Sequence, residues 1–308
     1  MNITKFQELT KGMSVLKMMS TMREAQNDVY RVNLLKEFYS SMRTDKAKVT
    51  IIDNKDTVQR FMHFFNIDKV KGGETTGDRP QERKCQWEHT FEHLKKGTLE
   101  KLLLRHLWEE LNVCLYFHQK KNNVCCFNID VNKYIIEAAD DALKKSLKTA
   151  ALETYIEIVT ILKKFGMIPL SYPSGHGYHI WLRFDESIDN DRLHEFMSCI
   201  ERYTIMYRID SAEEELEKYV KDKPWILLYP RIDNITGRSL RLFGTTHVGT
   251  GEFTKIWKAE YGLTTLNKEE SWEYFEWYMK NRTISREQFD TTLKRLTDFF
   301  SRIDNPKK

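Results

Sequence analysis

NVCCFNIDVN, residues 123–132, is a short apolar and β-prone run that carries one acid, Asp130, near its end. The density of Val, Cys, Phe and Ile predicts a buried strand. A carboxylate in such a strand is expensive to bury unless a cation or hydrogen-bond donors satisfy it. TIMYRID, residues 204–210, reads as a second strand closed by an acid, Asp210. An Asp that ends a strand also serves as a plain turn or helix cap, so neither acid identifies a site alone.

Outward from the first run, an amphipathic helix is expected from about Ala142 to Phe165, ended by Gly166. MIPLSYPSGHGYHIWLRFD (167–185) reads as strand, Gly-rich turn and strand. A helix over about 191–203 then leads to TIMYRID, and a charged helix is expected over 212–221. PWILLYPRIDNITGRSLRLFGTTH (224–247) reads as a hairpin-like pair of strands. Upstream, residues 1–62 are helical in pattern, KGGETTGDRP (71–80) is an exposed loop, and helical periodicity resumes over Trp87–Leu111. Residues 253–300 read as helical, with Trp257, Tyr261, Trp272, Phe275 and Tyr278 as a core-facing stripe. The fold class expected is α+β, divided into a helical N-terminal region (1–95), a central core (96–252) and a helical C-terminal region (253–308).

Composition narrows the class without naming it. The hydrophobic share of 41% in 308 residues suits a soluble chain with a sizeable core. No apolar run reaches the length of a membrane span and the first residues lack a signal-peptide pattern, so the expectation is a cytoplasmic protein without membrane contact. Five cysteines, an odd number without repeated spacing, point to reduced thiols. The net charge of +4 permits nucleic-acid binding without requiring it. Cys85, His89 and His93 would form one stripe of a helix, but no fourth zinc ligand lies near them in sequence.

Two further segments have chemistry. In SGHGYH (174–179), Gly175 and Gly177 would let backbone amides approach an anion, with Ser174 and His179 adding side-chain donors. A hairpin turn followed by a core histidine is the plainer alternative. RSLRLFGTTH (238–247) sets Arg238, Arg241 and His247 near a Gly turn. Arg241 and His247 would share a face if the strand ran on regularly past Gly244, although surface charge explains the segment equally well.

Taken in order, these features resemble the archaeo-eukaryotic primase superfamily, nearest to the primase-polymerases of plasmid and CRISPR-associated operons. FNIDVNK (127–133) is similar to the first motif, which sets two acids one residue apart on a strand. SGHGYHIW (174–181) is similar to the second, whose Ser and His contact the incoming triphosphate. YRIDSA (207–212) is similar to the third, which supplies the remaining metal ligand, here Asp210. RSLRLFGTTH resembles the basic strand that binds phosphates. The resemblance implies a primase-type catalytic core with an RRM-like sheet, flanked by helical additions. It implies a DNA primase-polymerase, a metal-dependent nucleotidyltransferase that joins nucleotides on a single-stranded DNA template and is able to begin primers de novo. Two divalent ions, Mg²⁺ or Mn²⁺, would be held by Asn128, Asp130 and Asp210. Ser174, Gly175, Gly177, His179, Arg238, Arg241 and His247 would bind the nucleotide. A helicase or other plasmid or CRISPR operon proteins are the partners implied.

Asn128 departs from the pattern, because it stands where the family has Asp or Glu. An amide is a neutral and poorer ligand, so a second ion would bind weakly. Asn128 is either a replacement made to trap a substrate complex or a native residue that lowers activity. Pairing Asp130 with Asn132 instead still leaves one amide in the pair. A catalytically degraded single-strand-binding module of the same fold is the rival reading.

Overall fold

The computed structural model describes residues 55–65, 74–76, 84–86, 103, 106–107, 113–115, 117, 120–131, 139–208, 226–231, 240–247, 253–258 and 264–305. In chain order they form helix α1 (Lys55–Phe64) and strands β1 (Glu74–Thr76), β2 (Lys84–Gln86), β3 (Cys114–Leu115) and β4 (Lys121–Asp130). Helix α2 (Asp141–Lys164) leads to β5 (Leu170–Pro173) and β6 (Gly177–Asp189), and helix α3 (Asn190–Arg208) to β7 (Ile226–Tyr229). Strands β8 (Leu240–Arg241), β9 (Trp257–Lys258) and β10 (Thr264–Thr265) precede helices α4 (Lys268–Asn281) and α5 (Arg286–Asp304).

The architecture is α+β. β4 pairs antiparallel with both β6 and β7, and β5 lies outside β6, giving a four-stranded sheet in the order β5-β6-β4-β7. The chain runs β4-α2-β5-β6-α3-β7, so each helix carries it past a neighbouring strand. Asp140 caps α2 by accepting from the Leu143 amide at 2.8 Å, and Gly166, with φ of 72°, follows its end.

Both faces of the sheet are covered. Cys125, Phe127 and Ile129 of β4, with Ile180 and Leu182 of β6, pack against Ile158 of α2, Phe196 of α3 and Leu293 of α5. Val124 and Cys126, with Trp181 of β6 and Tyr172 of β5, enter a second core with Phe61 of α1, Phe65 just after it, Phe243, and Trp272 and Phe275 of α4. This explains why β4 is apolar on both sides where a half-exposed strand would alternate. His106 ties the second core together: its Nδ1 accepts from the Val113 amide at 2.9 Å and its Nε2 meets the Phe243 carbonyl at 2.8 Å. Cys114, Cys125, Cys126 and Cys199 are free thiols. Among the described residues no helix is long and apolar enough to cross a membrane.

Several expectations need correction. Residues 204–208 are not a strand but the last turns of α3, where Thr204 is fully buried and its hydroxyl bonds back to the Ile200 carbonyl at 2.9 Å. β7 and β8 do not form a hairpin: β7 joins the main sheet beside β4, whereas β8 pairs with β3. Residues 74–76 are not loop but pair with β2, which puts Cys85 on a strand and not on a helix; His89 and His93 lie outside the described residues. Trp257 lies on β9, paired with β10, so the C-terminal region begins with a short hairpin before its helices. Residues 1–54, Asp210, Arg238, Asn132 and the expected helix over 212–221 lie outside the described residues.

Gly177 sets the site end of the sheet. It pairs with Asp130, and a Cβ there would run into the Ile129 carbonyl oxygen and lie 2.7 Å from its carbon. Glycine is needed here for close backbone approach. Gly177→Ala is therefore expected to lower stability by about 1–3 kcal/mol through forced movement of β4 against β6. Urea denaturation checks this, and a wild-type midpoint in the variant would refute the close approach.

Candidate functional site

One row of side chains crosses the second face of the sheet at the end where β4 stops. From the register it reads Tyr172 (β5), His179 (β6), Asn128 (β4) and Leu227 (β7). Asn128 and Asp130 share that face, as their two-residue spacing predicts. Asn128 is 8% exposed and His179 4%, and among the described residues neither Asn128 Oδ1 nor His179 Nδ1 has a hydrogen-bond partner. Buried polar atoms left unpaired cost on the order of 1–3 kcal/mol each, and with the Tyr172 hydroxyl this row holds three that the described residues do not satisfy.

The Gly-rich turn and the segment after β8 close over this end. Ser174 N donates to the Gly177 carbonyl at 2.8 Å, tightening the turn, and Gly175 adopts φ of 113°. His247 packs directly over Gly175, leaving no room for a side chain there. Its ring also meets that of His176 edge-on at 5.6 Å. The Arg241 guanidinium reaches the same turn, with Nη2 3.4 Å from the Ser174 carbonyl. Its Nη1 donates to Thr254 Oγ1 at 2.8 Å and to the Thr245 carbonyl at 3.1 Å. Tyr172 and His179 lie with ring centroids 5.4 Å apart.

Arg241 and His247 thus converge, but not by strand alternation. β8 ends at Arg241, and Gly244, with φ of 103°, turns the chain back under the Trp272 ring. The structure brings Ser174, Gly175, His179, Arg241 and His247 together, with Asn128 beside His179 and Asp130 opposite Gly177. His176, Thr245 and Thr254 are additions that the sequence reading missed. His176 was visible within the turn motif, and Thr245 directly follows the Gly turn. Thr254 has no signal in the sequence.

Electrostatics at the site have two signs. Burial first, then the Arg241 charge, then His247, hold His179 down to about 3. Burial, Arg241 and His176 hold His247 down to about 4. Both rings are therefore neutral at physiological pH and present one N–H each beside a fixed guanidinium. Asp130 is exposed at the strand end, yet the protein crowding its inner side pushes its pKa up to about 6. An unpaired, partly desolvated carboxylate and a neighbouring amide oxygen are hard donors of the kind Mg²⁺ or Mn²⁺ takes. Among the described residues no group of three or more His, Cys, Asp and Glu side chains could hold a metal ion. Asp130 and Asn128 supply two such donors, and Asp210, the further ligand that the resemblance implies, lies outside the described residues.

No family model matches the sequence and no curated protein matches it. Among solved structures, the chain is similar to the primase-polymerase AEP domain of cyanophage S-2L, with a TM-score of 0.32 and 13% identity over 71% of this chain and 97% of that one. It is also similar to the polymerase domain of Mycobacterium tuberculosis Ligase D solved with DNA, with a TM-score of 0.29 and 9% identity over 81% of this chain and 89% of that one. Both are weak likenesses at the level of fold, and nothing about this chain's activity follows from them.

Asp130 yields a signed prediction. Its folded-state pKa is raised, so the charged form is disfavoured above about pH 6 and the penalty fades as the group protonates. Asp130→Asn should melt a few degrees above wild type at pH 8, with the gap closing as pH falls through about 6. The two depressed histidines act oppositely in both proteins, withdrawing stability as pH falls from about 6.5 toward 4. Thermal melts across pH check this; a variant that melts below wild type at pH 8 would contradict it.

Proposed function

We propose that this chain is a nucleotidyltransferase of the primase-polymerase type, with an RRM-like sheet over residues 96–252 as its core. The β-α-β-β-α-β course and the β5-β6-β4-β7 order are compatible with such a sheet. One observation carries the reading: Arg241 and His247, from a segment distant in sequence, close over the Gly-Ser-His turn next to Asn128, His179 and Asp130. A guanidinium, two neutral imidazoles, the Ser174 hydroxyl and a glycine-lined backbone make a site for a polyphosphate.

In this reading Ser174, Gly175, Gly177, His179, Arg238, Arg241 and His247 hold the triphosphate. The charge of Arg241 offsets phosphate charge that develops on transfer. Asp130 and Asn128, with Asp210 as a further acid, would hold the divalent ion, whose role is to polarise the α-phosphate and neutralise the phosphates when bound. The template would be single-stranded DNA. Helicase or operon proteins, a cytoplasmic location and de novo initiation stay with the primase reading.

Asn128 and Leu227 favour a second reading. The residue opposite Asn128 on β7 is apolar, so the strand that flanks the first motif lends it no acid. A single-strand-binding module that keeps the nucleotide pocket without turnover fits that arrangement.

Calorimetric titration with a nucleoside triphosphate and an unstructured oligonucleotide tests the clamp. Arg241→Lys should lose about 1–3 kcal/mol of triphosphate affinity despite keeping its charge, because an ammonium does not reproduce a planar fork held by Thr245 and Thr254. His179→Ala should impair the same step, and oligonucleotide affinity should change little in either variant. Loss of oligonucleotide binding alone would move these residues to the template path.

Template-directed incorporation with Mn²⁺ separates the two readings. Asn128→Asp should raise incorporation by orders of magnitude by restoring a charged donor beside Asp130. No incorporation by either protein would leave the binding module standing.

A further inference from the structure

Arg241 is held by an atom that lies outside all the motifs read from the sequence. After the segment 240–247 the chain returns antiparallel, with Thr246 bridging Phe253, and Thr254 N donates to the Thr245 carbonyl at 3.1 Å. This places Thr254, only 3% exposed, against the guanidinium. Its hydroxyl has one proton, and the Thr245 carbonyl, 2.8 Å away, takes it. The oxygen's lone pairs are left toward Arg241 Nη1 at 2.8 Å. The Thr245 carbonyl at 3.1 Å and its hydroxyl at 3.3 Å are longer.

A guanidinium is planar, so fixing one nitrogen in a directed bond fixes the whole fork. With Nη1 engaged by Thr254 and Thr245, Nη2 is aimed at the Ser174–Gly175 turn. An arginine side chain left to rotate would lose much of the benefit of two-point phosphate contact to ordering. Thr254 also couples two return segments of the chain, because its amide and its hydroxyl both end on the Thr245 carbonyl.

We propose that Thr254 is a positioning residue for the polyphosphate clamp: it contacts no ligand and acts by orienting Arg241. This rests on the triphosphate-binding reading above and adds to it a residue whose substitution should look like a partial loss of Arg241. Valine is nearly isosteric with threonine but cannot accept the Nη1 bond, while serine keeps the hydroxyl and drops only a methyl.

The test is titration with inorganic triphosphate, a probe that has the charged group without base or sugar. Wild type, Thr254→Val, Thr254→Ser, Arg241→Ala and the double variant Thr254→Val/Arg241→Ala are compared, with circular dichroism confirming that each is folded. Thr254→Ala runs beside Thr254→Val, so that a packing failure of valine does not decide the result. Thr254→Val is expected to weaken binding roughly tenfold, the scale of one charge-assisted bond, and Thr254→Ser to stay within roughly twofold or threefold of wild type. In the Arg241→Ala background the threonine substitution should have no further effect, which a merely structural role would not give. Wild-type affinity in both Thr254→Val and Thr254→Ala, or losses that add to that of Arg241→Ala, would overturn the role of Thr254 while leaving triphosphate binding intact. Absence of any saturable triphosphate binding by wild type would overturn the binding reading and this inference with it.

Discussion

The site depends on the ladder between β4 and β6. Because Asn128 faces His179 and Asp130 faces Gly177, the acid, the amide and the histidine arrive at one end of one face without any loop having to place them. A slip of one residue would turn Asn128 and Asp130 into the helix-packed core and bring Phe127 and Ile129 to the site face. The apolar side chains on both faces of β4 oppose that slip, since each is matched to a different core. Hydrophobic burial thus positions two polar groups that, taken singly, weaken the fold.

The segment over the site follows another logic. Residues 242–247 make almost no regular structure, and glycine at 244 and packing of His247 on Gly175 replace strand pairing as the means of placement. Arg241 spans the gap between this segment and the turn, bonded to carbonyls on both sides. Burial beside that cation keeps two imidazoles neutral, so among the described residues of the candidate site Arg241 carries the fixed positive charge amid dipoles. An anion entering there would meet donors already oriented, with little reorganisation left to do.

Much of this was legible in the sequence, and the rest was lost for definite reasons. β4, α2 and the β5–β6 hairpin were readable because each is decided locally: an apolar β-prone run, a 3.6-residue period, and a Gly-Ser turn. Residues 204–208 were misread because Thr, Ile and Tyr favour strands, whereas the turns before them already carried a helix and Thr204 could satisfy its hydroxyl on that helix's own carbonyl. The apparent hairpin over 224–247 failed because propensity marks a strand but not its partner, and both partners lay upstream, in β4 and β3. His179 and Arg241 stood out as motif residues. Their support did not, since Thr254 meets Arg241 only through the tertiary course of the chain.

The two cores differ in how far apart along the chain their members lie. The core under α2, α3 and α5 draws chiefly on a continuous run, from β4 through α3, with α5 added. The opposite core joins α1, β3, Phe243 and α4, and one of its ties, from His106 to the Phe243 carbonyl, spans 137 residues. Loop-closure entropy is larger for contacts of that separation, so the opposite core holds the more chain-distant contacts of the two. Asn128 and Asp130 are placed by the β4–β6 register, whereas Arg241 reaches the Ser174 turn across 67 residues of chain. A polypeptide cut just after β8 would keep the row of His179 and Asn128, yet lose His247 over Gly175 and the Thr245 and Thr254 contacts of Arg241.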